Sequence, residues 1–174
     1  MPATYTLISS NVLSSSAASV TFSAIPATYT DLVLRVSARS DNGSVSDGLN
    51  MTFNGVGGTS YSRTMLRGNG TDATSNITSS TSSFQSAPNG LVGNNATSNT
   101  FGSIEIYIPS YVVSQNKPIS YFGAGEENAT TAFMGVYAGL FSNTSAIASI
   151  VCSPVNGSNL LSGSSFYLYG ISNA

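Results

Sequence analysis

The sequence predicts an all-β fold, an antiparallel two-sheet sandwich of jelly-roll type, and three observations carry that expectation. Apolar residues recur in short runs with period-two alternation, the side-chain repeat of a strand. Each run is closed by a cluster of Gly, Ser, Asn or Pro, the residues that turns require. No segment carries a helical apolar period with caps, so about ten strands follow one another without helices, which suits two packed sheets.

Taken in order, residues 4–8 and 19–24 are the first two expected strands. Residues 31–40 place Leu32, Leu34, Val36 and Ala38 on one face and Arg35, Ser37 and Arg39 on the other, a half-buried strand. Runs at 48–54 and 60–66 come next. Residues 68–100 are dominated by Ser, Thr, Asn and Gly, with Ile77, Phe84, Leu91 and Val92 as the larger apolar residues. A long surface excursion is expected there, which either contacts a partner or covers a sheet edge.

Residues 101–109 set Ile104, Ile106 and Ile108 against Ser103, Glu105 and Tyr107, and Pro109 ends the run. After a run at 118–125, residues 131–141 alternate two apolar rows. One row is Ala132, Met134, Val136, Ala138 and Leu140; the other is Phe133, Gly135, Tyr137, Gly139 and Phe141. Both faces of that strand are therefore expected to be covered, at least in part. Runs at 146–152 and 165–171 complete the set. An immunoglobulin-type domain fits less well, because the chain has no Trp and a single Cys.

The 174 residues suit one domain, spanning 1–174, that buries its own core. Charged residues are only 7% of the chain, so its polar surface must be built from Ser, Thr, Asn and Gly. The net charge of −2 and the scattered basic residues offer no attraction for phosphates, which argues against nucleic acid as a partner. No apolar run reaches the roughly 18 residues that span a bilayer, and residues 1–10 lack the regions of a signal peptide. A soluble chain that is not inserted in a membrane is expected. Cys152 sits in the apolar run 147–152 and is expected to be a buried, inert thiol without an intrachain disulfide.

The absence of histidine removes the usual general base, triad member and metal ligand together. Glu126 and Glu127, adjacent in sequence, would point to opposite faces within a strand, unlike the facing pair of a glycosidase. Asp31, Asp41 and Asp47 could supply oxygen ligands to calcium. Asp41-Asn42-Gly43 and Asp47-Gly48 are also ordinary turn formers, and the turn reading is expected. The glycine-rich stretches 54–58 and 68–70 lack the ending of a phosphate loop and are expected as hairpin turns. Tyr107, Tyr111, Tyr167 and Tyr169 could stack sugars, but core and sheet-edge packing is the plainer role. Arg35 and Arg39 share one expected strand face and Arg63 and Arg67 could share another, free to pair with Asp31, Glu105 or a neighbouring subunit. These features point to a binding module without metal or cofactor, and not to an enzyme.

Five stretches carry a resemblance: Ala18-Ser-Val-Thr-Phe22, Ile25-Pro-Ala-Thr-Tyr-Thr-Asp-Leu32, Val36-Ser-Ala-Arg-Ser40, Ile104-Glu-Ile-Tyr-Ile-Pro109 and Phe166-Tyr-Leu-Tyr-Gly-Ile171. The chain resembles, from Tyr5 to Ile171, a family of small β-sandwich virion proteins of tailed phages, especially those of cyanobacteria and aquatic hosts. The resemblance implies a virion structural protein that binds the major capsid protein or other virion proteins as a homo-oligomer, expected to be a trimer. Decoration of the outer capsid shell is the first expectation and a glycan-binding tail-fibre or baseplate module the second. The candidate contact residues are Asn76, Phe84, Asn94 and Asn95 in the polar excursion, with Arg63 and Arg67 beside it.

Overall fold

Twelve strands form two antiparallel sheets in the computed structural model, which describes residues 4–128 and 132–172. They are β1 (Tyr5–Val12), β2 (Val20–Phe22), β3 (Asp31–Ala38), β4 (Ser46–Phe53), β5 (Tyr61–Gly68) and β6 (Ala73–Thr81), then β7 (Phe84–Val92), β8 (Gly102–Ile108), β9 (Lys117–Gly125), β10 (Phe133–Phe141), β11 (Ile150–Pro154) and β12 (Ser165–Ile171). One sheet has eight strands in the order β1-β12-β3-β8-β9-β10-β5-β6, and the other has four in the order β2-β11-β4-β7.

The chain changes sheet at every connection except β5–β6, β8–β9 and β9–β10. Early and late strands therefore alternate within the small sheet, which is the jelly-roll device. Relative to that plan, the β9–β10 hairpin is inserted between β8 and β5, and β1 and β12 are added beside β3.

The alternation in the sequence decides which face of each strand meets the other sheet. Leu32, Leu34 and Val36 of β3, Ile104, Ile106 and Ile108 of β8, Ile119 and Tyr121 of β9, and Tyr137 and Phe141 of β10 point inward. Leu49, Met51 and Phe53 of β4, Phe84 and Leu91 of β7, and Ile150 and Cys152 of β11 meet them, and every one of these residues is at most 3% exposed. Burying each such side chain contributes about 1.5–3 kcal/mol. Two aromatic clusters lock the sheets together. Phe53 of β4 meets Tyr61 and Phe141 of the large sheet with ring centroids 6.0 and 5.3 Å apart, and Phe84 of β7 meets Tyr121 and Tyr137 at 6.1 and 6.3 Å. Their hydroxyls are satisfied inside the core: Tyr61 donates to the Val56 carbonyl and accepts from the Phe53 amide, and Tyr137 donates to the Ser86 carbonyl.

The expected excursion over 68–100 is instead two strands followed by a loop at 93–101. β7 belongs to the small sheet and buries Phe84, Leu91 and Val92. β6 is an edge strand exposed on both faces, so it needs no apolar row and its Ser, Thr and Asn residues read as loop. Residues 54–58 connect β4 to β5 across the two sheets rather than closing a hairpin, with Asn54 and Gly55 at φ 54° and 66°. The turn between β5 and β6 around Gly70 is the expected hairpin. β10 is covered on one face only: the Phe133 row turns inward, while Met134 and Val136 are 55% and 46% exposed. Residue 131, the first of that expected strand, lies outside the described residues.

Candidate functional site

Much of the chain's charge is turned into the fold, where it ties loops together. Arg39, beyond the end of β3, leaves the face of Arg35 and donates to the carbonyls of Thr97 at 2.7 Å, Ala96 at 2.9 Å, Asn94 at 3.0 Å and Thr100 at 3.2 Å. Lys117, fully buried, donates to the carbonyls of Val113, Gln115, Asn143 and Thr144. Burial lowers its ammonium pKa, because the charged form loses its water.

The three aspartates do not converge on a cation. Asp47 is fully buried and accepts from the Ser40 hydroxyl and the amides of Gly48, Asn156 and Gly157. Asp41 accepts from the Asn159 amide at 2.9 Å, the Asn159 side chain at 2.8 Å and the Ser158 amide at 2.7 Å. Those donors favour its charged form and hold its carboxyl below the usual range. Asp31 accepts from the Tyr107 hydroxyl and the Ser110 amide. Among the described residues no three His, Cys, Asp or Glu side chains group as metal ligands.

Glu126 and Glu127 lie in the connection after β9, not within a strand. Glu126 accepts from the amides of Glu127 and Asn128, as a turn residue does. Cys152 is fully buried in β11, where burial pushes its thiol up to about 12.

The outer face of the eight-stranded sheet, which points away from the small sheet, has a different character. One lateral row crosses all eight strands: Ser10, Tyr167, Arg35, Glu105, Phe122, Val136, Leu66 and Ser75. The row beside it runs Leu7, Tyr169, Val33, Tyr107, Ser120, Ala138, Thr64 and Ile77. Leu66, Ile77, Phe122, Met134 and Val136 form an apolar patch over β9, β10, β5 and β6, with exposures from 44% to 75%. Tyr5, Leu7 and Val12 extend the apolar surface at the β1 edge. Of the large apolar side chains exposed among the described residues, Val113 alone lies off this face. The ion pair that crosses it, Arg35 to Glu105 at 3.0 Å, neutralises itself.

The expected contact residues fall in three places. Arg63 and Arg67 lie on the inner face of β5, with Asn76 of β6 on the same face, in register with Met65 between them. Arg63 packs over the Tyr137 ring at 5.7 Å and Arg67 over the Phe133 ring at 5.6 Å. Asn94 and Asn95 sit on the exposed loop at 93–101, where the Asn95 side chain donates to the Gly43 carbonyl at 2.6 Å. Phe84 corrects its expectation: it is 1% exposed and packs in the core against Tyr121 and Tyr137, because β7 is a sandwich strand and not a loop.

Of the tyrosines expected as a platform or as packing, Tyr111 is fully buried with its hydroxyl on the Pro26 carbonyl, and Tyr107 is bound to Asp31. Tyr167 and Tyr169 are half-buried on the outer face, and Tyr169 meets Tyr5 edge to face. Sequence reasoning missed the patch formed by Phe122, Val136 and Leu66. Its signal was present as the Ala132-to-Leu140 row of the 131–141 run, together with Phe122 on the polar-facing parity of its own strand. Comparison of the chain with family models and with curated proteins finds no match to either.

Proposed function

We propose that the protein is a non-enzymatic structural module of a phage virion, a decoration protein that lies on the outer capsid shell and bridges neighbouring shell subunits. The observation that supports this reading is the broad, nearly charge-free outer face, whose apolar patch is aligned strand by strand from Phe122 to Leu66. A contiguous exposed apolar surface of this kind marks an interaction site. Binding only the assembled shell stabilises it by mass action, without catalysis. The module works as a homo-oligomer, a trimer, so that several such faces engage the lattice together.

The test is co-sedimentation of purified protein with empty expanded capsids, followed by cryo-electron microscopy of virions. Density on the capsid lattice with the eight-stranded sheet facing the shell supports the reading. Failure to bind the capsids, with density confined to the tail, refutes it.

One observation favours a second reading, a tail-fibre or baseplate module that binds a host glycan. Tyr5, Tyr167 and Tyr169 gather at the β1–β12 end of the outer face, and the Arg35 guanidinium lies 6.0 Å from the Tyr5 ring. Aromatic surfaces of this type stack on sugar rings. A glycan array without hits and absence from isolated tails removes it.

A further inference from the structure

We propose that Arg63 and Arg67 form a two-point receptor for carboxylates on an extended acidic segment of a partner protein. The site is on the inner face of β5 and does not depend on the outer-face reading above.

The geometry follows from strand periodicity. Residues four apart on a strand share a face and stand about 13 Å apart. Each arginine faces a glycine across the β5–β10 ladder, Arg63 opposite Gly139 and Arg67 opposite Gly135. With no side chain opposite, each guanidinium leans over the ring two residues along, Tyr137 or Phe133. Those rings are themselves four residues apart, so the two charged heads keep the spacing of their strand. Stacking fixes both side chains before a ligand arrives, and the ordering entropy that binding normally costs is already lost.

The charge is unmatched from within. Among the described residues the one ion pair is Arg35–Glu105, and neither Arg63 nor Arg67 has a carboxylate at ion-pair distance. Arg63 Nη1 is buried and has no acceptor among the described residues, and the group's loss of water lowers its pKa. Arg39 and Lys117, the other cations drawn into the fold, are each surrounded by four backbone carbonyls. A guanidinium desolvated without such a cage is costly to keep, and an acceptor supplied from outside removes that cost.

The chemistry of the occupant follows from the two heads and their surroundings. Guanidinium forks recognise carboxylates bidentately. A separation of about 13 Å is the reach of four residues of extended chain, so carboxylates at i and i+4 meet both heads. Thr74, Asn76 and Thr78 of β6, in register with Arg67, Met65 and Arg63, add hydroxyl and amide groups for the backbone of such a segment. The guanidinium groups occupy the faces of Tyr137 and Phe133, which leaves no open ring there for a sugar to stack on.

The experiment titrates the isotopically labelled full chain with short Ser/Thr peptides that carry two Glu at i and i+4, or at i and i+2, and follows β5 amides and arginine Nε signals by NMR. The i,i+4 peptide moves those signals and binds about tenfold more tightly than the i,i+2 peptide, the worth of one further charge-assisted contact. Arg67→Gln and Arg63→Met each reduce it to the i,i+2 level. Arg63→Met also keeps or raises the thermal midpoint, since it removes a buried unpaired charge, whereas a purely structural arginine would lower it. The proposal is overturned if neither peptide moves the β5 signals. It is equally overturned if inorganic phosphate or a polyuronate moves them as strongly, or if Arg63→Met destabilises the chain and leaves peptide binding intact.

Discussion

Lys117 shows how a single residue can hold distant loops without a counter-ion. Among the described residues its ammonium bonds only to backbone carbonyls, from residues 113 and 115 on one side and 143 and 144 on the other. Lys117→Met would leave those carbonyls unpaired and is expected to cost at least about 2 kcal/mol, read as a fall in the denaturant midpoint. Asp41 acts in the same way on residues 158 and 159, and its effect has a pH signature. Its folded-state pKa lies below its unfolded value, so its stabilisation is complete above the ordinary carboxylate pKa of about 3.9 and is lost as pH falls through the folded value. Asp41→Asn is therefore expected to lower stability at neutral pH and to flatten the acid limb below about pH 4, as denaturant melts at the two pH values would show. The turn role of Asp41 was legible from the Asn and Gly that follow it, whereas Asp47, expected as a turn former, lies within β4 and is buried, its carboxylate accepting from Ser40, Asn156 and Gly157. The roles of Arg39 and Lys117 were not, because their acceptors are backbone carbonyls that no residue type advertises.

At the scale of elements, the clean alternations were the legible ones. β3, β8 and β12 each bury one face against a neighbouring sheet, and the sequence repeats that burial with period two. β6 and β7 were illegible for opposite reasons. β6 is open on both faces and needs no pattern, while β7 crosses to the small sheet within a segment whose composition reads as loop. The crossing of β7 over β8 depends on Gly102, where an added Cβ would stand 1.7 Å from the carbonyl oxygen of Gly90. At Gly139 of β10 the same atom would meet the ring of Phe84 at 2.3 Å. Gly139→Ala is expected to destabilise by about 1–3 kcal/mol, the usual cost of overpacking a core. Gly102→Ala is expected to cost more, because backbone has no rotamer to yield. Thermal melts of the two variants would reverse that order if β7 and β8 could separate.

For the whole molecule, the unequal width of the sheets decides what is left to bind. The smaller sheet covers one side of the larger, and the other side carries the exposed apolar side chains across β9, β10, β5 and β6. Since Phe122 and Val136 are neighbours across β9 and β10 and both are exposed, Phe122→Asp with Val136→Asp is expected to leave the thermal midpoint nearly unchanged. Under the proposed capsid role, the same pair of changes is expected to weaken binding to the shell by at least about 2 kcal/mol, which co-sedimentation would measure. Glu105→Gln is expected to change stability by no more than about 1 kcal/mol, because its partner Arg35 is equally solvated.

The inward use of charge, with a chain that has no histidine, also fixes how the molecule meets acid and base. No side chain has an ordinary pKa between 5 and 8, and the one thiol is pushed up to about 12. No imidazole therefore changes charge in the neutral range when a surface is covered. A surface of this kind carries no histidine through which mild acidification could act on a partner contact. Contacts made through its apolar patch are expected to yield to agents that compete for apolar area.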